Sequence, residues 1–215
     1  MTASKPFRLW LFAFLLCIVA TLLSMAYIDR PVADYVHAHL RYTALFQWTT
    51  RAFAPLLLVP VLALLFLLAS GCWLLAGRSL ALWTRTPLLC SWSVAWSVST
   101  TIVLKHVFGR SSPYPDYVVH RIYELRPFHA DSAHLAFPSG TMAVSGAMLS
   151  VIWLRYPGLR IAIMLILLFL ALALVITNSH WLADVIGGLF LGVSVGTMTV
   201  PLSEQQHVYT PIDRG

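Results

Sequence analysis

Residues Leu9–Ile28 read LWLFAFLLCIVATLLSMAYI, an apolar run without one charged side chain. A run of about twenty such residues is what an α-helix needs to cross the hydrocarbon core of a bilayer. Comparable runs follow at Ala54–Ala76, Pro87–Val107, Ser139–Leu154, Ile161–Ser179 and Trp181–Val200. Together they predict an all-α integral membrane protein built as a six-transmembrane-helix bundle. The chain is 59% hydrophobic and only 10% charged, and its mean hydropathy of +0.79 lies outside the range of soluble domains. The first run is longer than a signal-peptide core and ends in Asp29, Arg30 and Pro31 instead of a small-residue cleavage site, so it is read as a span. The fourth is short and rich in Gly, Ser and Ala, which predicts protein neighbours around it rather than lipid.

Between the first two spans, Val32–Arg51 mixes His, Arg and aromatic residues with apolar ones at near-helical spacing. That pattern predicts an interfacial amphipathic helix on the membrane surface. The one long polar loop, Gly109–Pro138, joins spans three and four. No repeat or second domain is visible, so residues 1–215 are expected to form a single membrane domain with short cytoplasmic tails at about 1–8 and 201–215.

The formal charge of +6 comes from 14 Lys and Arg scattered singly beside the spans, which excludes a nucleic-acid footprint. Cys17, Cys72 and Cys90 all lie in apolar stretches and read as small buried hydrophobes. Lys5 with Arg8, Arg78 with Arg85, and Arg155 with Arg160 place three sets of cations on one side. The opposite side holds at least as many, but several sit in Lys105–Pro138, where an anion site would account for them. With those set aside, both termini are expected in the cytoplasm.

Three polar clusters then fall on the extracytoplasmic side: KHVFGRSSPY (Lys105–Tyr114), FPSGT (Phe137–Thr141) and SHWLAD (Ser179–Asp184). Lys105 and Arg110 supply fixed positive charge, and the planar fork of Arg110 matches phosphate oxygens. Pro138, Ser139 and Gly140 resemble a turn into a helix start, where unpaired N–H groups favour an anion. His180 and Asp184 are four apart and share a helix face, so the carboxylate can fix one imidazole tautomer and leave the other nitrogen as a nucleophile or base. Asp184 is the carboxylate placed inside a predicted span, and intramembrane ionisable residues are functional by default.

These motifs resemble those of the type 2 phosphatidic acid phosphatase superfamily, whose signatures are K-x6-R-P, P-S-G-H and S-R-x5-H-x3-D. Lys105 and Pro113 match the first, Pro138, Ser139 and Gly140 the second, and His180 and Asp184 the third. The resemblance implies a six-helix membrane bundle and metal-independent chemistry without a cofactor. It also implies that His180 forms a phosphohistidine, oriented by Asp184, while Lys105, Arg110, Ser139 and Gly140 hold the phosphoryl oxygens. Ser112 stands at the first signature's arginine position, Thr141 at the second's histidine and Leu174 at the third's arginine. Arg110, two residues before Ser112, can supply the charge, whereas nothing near Leu174 replaces the last arginine.

Thr141 cannot act as a general acid near neutral pH. A leaving phosphate, with a second pKa of about 6, needs that proton far less than an alkoxide does. The expected substrate is therefore a lipid phosphate or, more readily, a lipid diphosphate, hydrolysed or used for transfer at the outer face of a bacterial cytoplasmic (inner) membrane. His129 and His134 are candidate substitute acids, with Thr141 and Ser112 as possible supporting residues, and no spacing of Asp or Glu suggests a metal site. The competing expectation, resting on Ser112, Thr141 and Leu174, is a degenerate relative that binds, moves or regulates an anionic lipid without chemistry.

Overall fold

The structure is a computed structural model that describes residues 5–128 and 134–200. Among these residues it is helical without strands. Helix α1 (Lys5–Leu23) runs through a π-helical turn at Ser24–Ile28 into α2 (Asp29–His39). Helix α3 (Ala44–Phe53) continues through a 3-10 turn into α4 (Val59–Leu75). Next come α5 (Arg85–Phe108), a single turn α6 (Val118–His120) within the long loop, α7 (Gly140–Arg155), α8 (Arg160–Ile176) and α9 (Leu182–Thr199).

Among the described residues, five helical stretches are long and apolar enough to cross a membrane: Phe7–His39, Ala44–Leu75, Leu82–Phe108, Pro157–Ile176 and Leu182–Thr199. Helix α7, where a sixth span is expected, has only 16 residues. At a rise of about 1.5 Å per residue it falls short of the hydrocarbon thickness. It is wrapped by protein, packing chiefly on α9 and α5, as its small residues predict. The α7–α9 crossing is close because glycines line it: a Cβ on Gly192 would stand 2.2 Å from the Ala143 carbonyl oxygen, and one on Gly196 2.3 Å from that of Ala147. Small residues at four-residue spacing let the backbones approach this way.

Val32–Arg51 differs from the expected single surface helix. It is split between α2 and α3, each continuing a long apolar run. The break has a local cause. Thr43 Oγ1 accepts from the Phe46 N–H at 3.3 Å and donates to the Leu40 carbonyl at 2.6 Å, so Thr43 caps the start of α3.

Helix α5 ends at Gly109, whose φ of +54° closes the C-terminus in the left-handed conformation. A Cβ there would lie 1.8 Å from the Arg126 carbonyl oxygen. The turn aims the following residues inward. The returning loop binds them from both sides, through Arg126 N–H to Gly109 O at 2.7 Å and Ala136 N–H to Arg110 O at 3.0 Å.

Candidate active site

Four separate segments meet around Arg110: the α1–α2 junction, the loop after α5, Tyr123 further along that loop, and the start of α9. The guanidinium is buried, with 2% of the residue exposed. One terminal nitrogen donates to Asp184 Oδ1 and the other to Asp29 Oδ2, each at 2.5 Å. The rings of Tyr123 and Trp181 lie 5.5 and 5.2 Å from its central carbon. Burial alone would lower the guanidinium's pKa, but Asp184 and Asp29 outweigh it and hold the group above its ordinary value. Arg110 is thus a charged bridge between two carboxylates. The cation expected from sequence to face a phosphate has both terminal nitrogens bonded to carboxylates of the protein.

Asp184 serves three groups. Oδ1 takes the Arg110 bond, Oδ2 accepts the Trp181 N–H at 3.1 Å, and Oδ2 lies 3.6 Å from His180 Nδ1. The last distance is longer than a hydrogen bond, and hydrogen bonds within acid–base sites are often long before substrate binds. His180 Nδ1 is buried without a hydrogen-bond partner among the described residues. The backbone of His180 is fixed because its N–H, like that of Ser179, bonds the Leu174 carbonyl. The Leu174 side chain belongs to an apolar cluster with Met142, Leu170 and Val185. The position of the third signature's arginine is therefore a core position in this chain.

The start of α7 adjoins this cluster through Ser139, whose N–H donates to the Asp184 carbonyl at 3.0 Å. Ser139 Oγ accepts from the Met142 N–H at 3.3 Å, so its hydroxyl caps α7. Gly140, Thr141 and Lys105 line a cleft of about 270 Å³ with Thr101, Leu56 and Pro60. A Cβ on Gly140 would meet Thr101 Cγ2 at 3.6 Å and Lys105 Cε at 3.9 Å, so the glycine leaves that space open. The Lys105 ammonium donates to the Leu135 carbonyl. Thr101 Oγ1 is buried without a partner among the described residues.

The remaining candidates lie in the loop. Ser112 Oγ and its N–H both bond Asp116 Oδ2 at 2.7 Å, so its hydroxyl shapes the turn after Arg110. His134 is buried with Nε2 at 3.2 Å from Glu124 Oε1. His129 lies outside the described residues. Asp29 was not foreseen from sequence. The available signal was a carboxylate directly ending an apolar run, beside Arg30 and Pro31, and it reads equally well as an ordinary span terminus.

The sequence pattern of the PAP2 superfamily matches residues 86–207, more than half of the chain, and that stretch holds Lys105, Arg110, Ser139, Gly140, His180 and Asp184. The chain belongs to the PAP2 superfamily. Two curated relatives are each called lipid A 1-phosphatase. The protein from Rhizobium johnstonii is 30% identical over 121 residues, which are 52% of this chain and 48% of that protein. The protein from Rhizobium etli is 30% identical over 114 residues, 49% of this chain and 48% of that one. The chain thus spans about half the length of the curated relatives it matches. No solved structure gives a significant match. Asp29 lies outside the part of the chain that the superfamily pattern covers.

Proposed function

We propose that this PAP2 superfamily member is a membrane lipid phosphatase or phosphotransferase with His180 as nucleophile and Asp184 as its orienting carboxylate. One observation carries the reading: a fully buried Asp184, clamped by Arg110, stands 3.6 Å from His180 Nδ1. A proton on Nδ1 then faces the carboxylate and leaves Nε2 with its lone pair. Nε2 attacks phosphorus, and the bond to the leaving oxygen breaks with its electron pair on that oxygen. Asp184 stabilises the imidazolium that forms. Water or a second lipid hydroxyl next takes the phosphoryl group and returns neutral His180. Lys105 and the Gly140 backbone, on one cleft, are the groups assigned to the phosphoryl oxygens.

Thr141 lines the same cleft and supplies no acid. A lipid diphosphate, whose leaving group is a phosphate, therefore suits the site better than a monoester. The bundle is assigned six spans with α7 as the protein-enclosed fourth, in one domain over 1–215. Its termini lie in the cytoplasm and its site at the outer face of a bacterial inner membrane. The cations at Arg78, Arg85, Arg155 and Arg160 support that orientation.

A second reading, a lipid-binding member without turnover, draws on the engagement of Arg110 by two carboxylates. The discriminating experiment is phosphate release by the purified chain from phosphatidic acid, phosphatidylglycerophosphate, polyprenyl diphosphate and lipid A. Release is expected from a diphosphate and is abolished by His180→Ala. Release that survives His180→Ala overturns the catalytic assignment. Thr141→His should raise turnover of the monoesters by about 10² to 10⁴-fold, the worth of a positioned acid. A jump from silence to turnover in that variant alone would establish the binding-only reading for the native chain.

A further inference from the structure

Asp29 has no part in the chemistry described so far, yet its side chain is completely buried. Two of its three side-chain bonds lead toward the site, and the third ties it to Ser24 in its own junction. Oδ2 accepts from Arg110 at 2.5 Å, while Oδ1 accepts from the Ala183 N–H at 3.2 Å and the Ser24 hydroxyl at 2.7 Å. Ala183 is in the first turn of α9, directly before Asp184. Asp29 therefore holds Asp184 by two routes, through the guanidinium and through the backbone. The same bonds occupy N–H groups at the start of α9: Ala183 goes to Asp29 and Trp181 to Asp184. The end of α9 is filled by carboxylates of the protein, which leaves the start of α7 as the helix terminus beside the cleft.

Charge adds a second argument. Arg110 and Asp184 alone would form a neutral pair. With Asp29 there are two carboxylates against one guanidinium, so the buried cluster carries one net negative charge beside His180. That charge is complemented when His180 becomes an imidazolium, the state its attack on phosphorus creates, and preorganised charge of this kind acts on the transition state.

We infer that Asp29 is a positioning residue for the His180–Asp184 pair, keeping the Arg110 bridge net negative toward His180 and fixing the rotamer of Asp184. The inference rests on the proposal that His180 and Asp184 carry the chemistry. Among the described residues, Lys105 from α5, Tyr123 from the loop and Arg30, whose guanidinium lies over the Tyr123 ring, are further titratable groups about this cluster. Removing the negative charge takes away a carboxylate that complements the imidazolium formed when His180 attacks phosphorus.

The test uses the full chain in lipid nanodiscs, with Asp29→Asn compared to wild type on polyprenyl diphosphate. Turnover should fall by roughly 10²-fold, at the upper end for outer partners of a reacting group, with KM within about threefold. In histidine-labelled protein the ¹⁵N shifts of the His180 ring should move. In Arg110→Met, adding Asp29→Asn should lower kcat by much less than it does in wild type, because the guanidinium route is already cut and only the Ala183 bond is left to lose. A folded Asp29→Asn protein with wild-type kcat and an unmoved His180 signal overturns the inference, as does full additivity with Arg110→Met. Should Asp29→Asn fail to fold, Ser24→Ala decides. It removes one hydrogen bond to Asp29 and should lower kcat by about fivefold at unchanged KM, and no change overturns the inference. If wild type released no phosphate from any lipid, the function would fail separately. The ¹⁵N shift would still decide the role of Asp29, a moved signal supporting it and an unmoved one overturning it.

Discussion

Asp29 and Asp34 stand on the same short helix, α2, and each meets an arginine of the loop after α5. The Asp29–Arg110 contact measures 2.5 Å and the Asp34–Arg121 contact 2.7 Å. The lengths are nearly equal and the surroundings opposite. The buried pair has side-chain exposures of 0% and 3%, while the outer pair has 46% and 66%. In water the outer charges lose little when separated, because solvent replaces the partner. In the interior, a carboxylate left without its cation keeps the full desolvation penalty. One helix thus carries a bond that fixes a site and a bond that decorates a surface, and length does not distinguish them.

The sharpest way to break this contrast is Arg110→Met, which leaves Asp29 and Asp184 buried without their shared cation. The unfolding transition of the purified protein should lose about 3–5 kcal/mol, and a loss under about 1 kcal/mol would put the two pairs in one class. Tyr123→Phe should act at an intermediate level. It removes the hydroxyl that donates to the Met25 carbonyl at 2.7 Å and accepts from Arg110 at 3.1 Å, for about 1–2 kcal/mol.

The same variant carries a pH signature. Burial raises the Tyr123 pKa above its ordinary 10.0, because phenolate is disfavoured in the fold. The folded chain therefore holds that proton after the unfolded chain has lost it. Stability from this source is complete below the unfolded value and is lost as pH rises through the folded one. The alkaline slope of stability should be shallower in Tyr123→Phe than in wild type. At the small end, Arg121→Ala should leave the transition where it is. Wild type and Arg121→Ala should coincide at about 1 M salt, where the Debye length is about 3 Å.

Much of this protein can be read from neighbouring residues. Apolar runs place α1, α4, α5, α8 and α9, since about twenty apolar residues have one cheap solution in a bilayer. The Gly, Ser and Ala content of α7 anticipates its enclosure by protein. The Pro138–Gly140 turn begins a helix as expected. His180, expected to share a helix face with Asp184, stands two residues before α9 begins at Leu182, so the turn into the helix and not helical periodicity brings the pair to 3.6 Å. The split of Val32–Arg51 was missed because a hydrophobic pattern does not register one capping threonine.

The partners of the charged groups are a different matter. Arg110 reaches Asp184 across 74 positions and Asp29 across 81, and Ala183 reaches Asp29 across 154. Local periodicity carries no information about such pairs. From sequence, Arg110 is a free cation matched to phosphate and Asp29 a span terminus. In the fold they are halves of one buried bridge, because Gly109 turns the chain inward and the α1–α2 junction lies against the start of α9. Residue order is enough to specify a helical membrane protein and the residue types of its candidate site. Which cations are already neutralised follows from packing, because burial and charge pairing are properties of the folded interior and not of the chain.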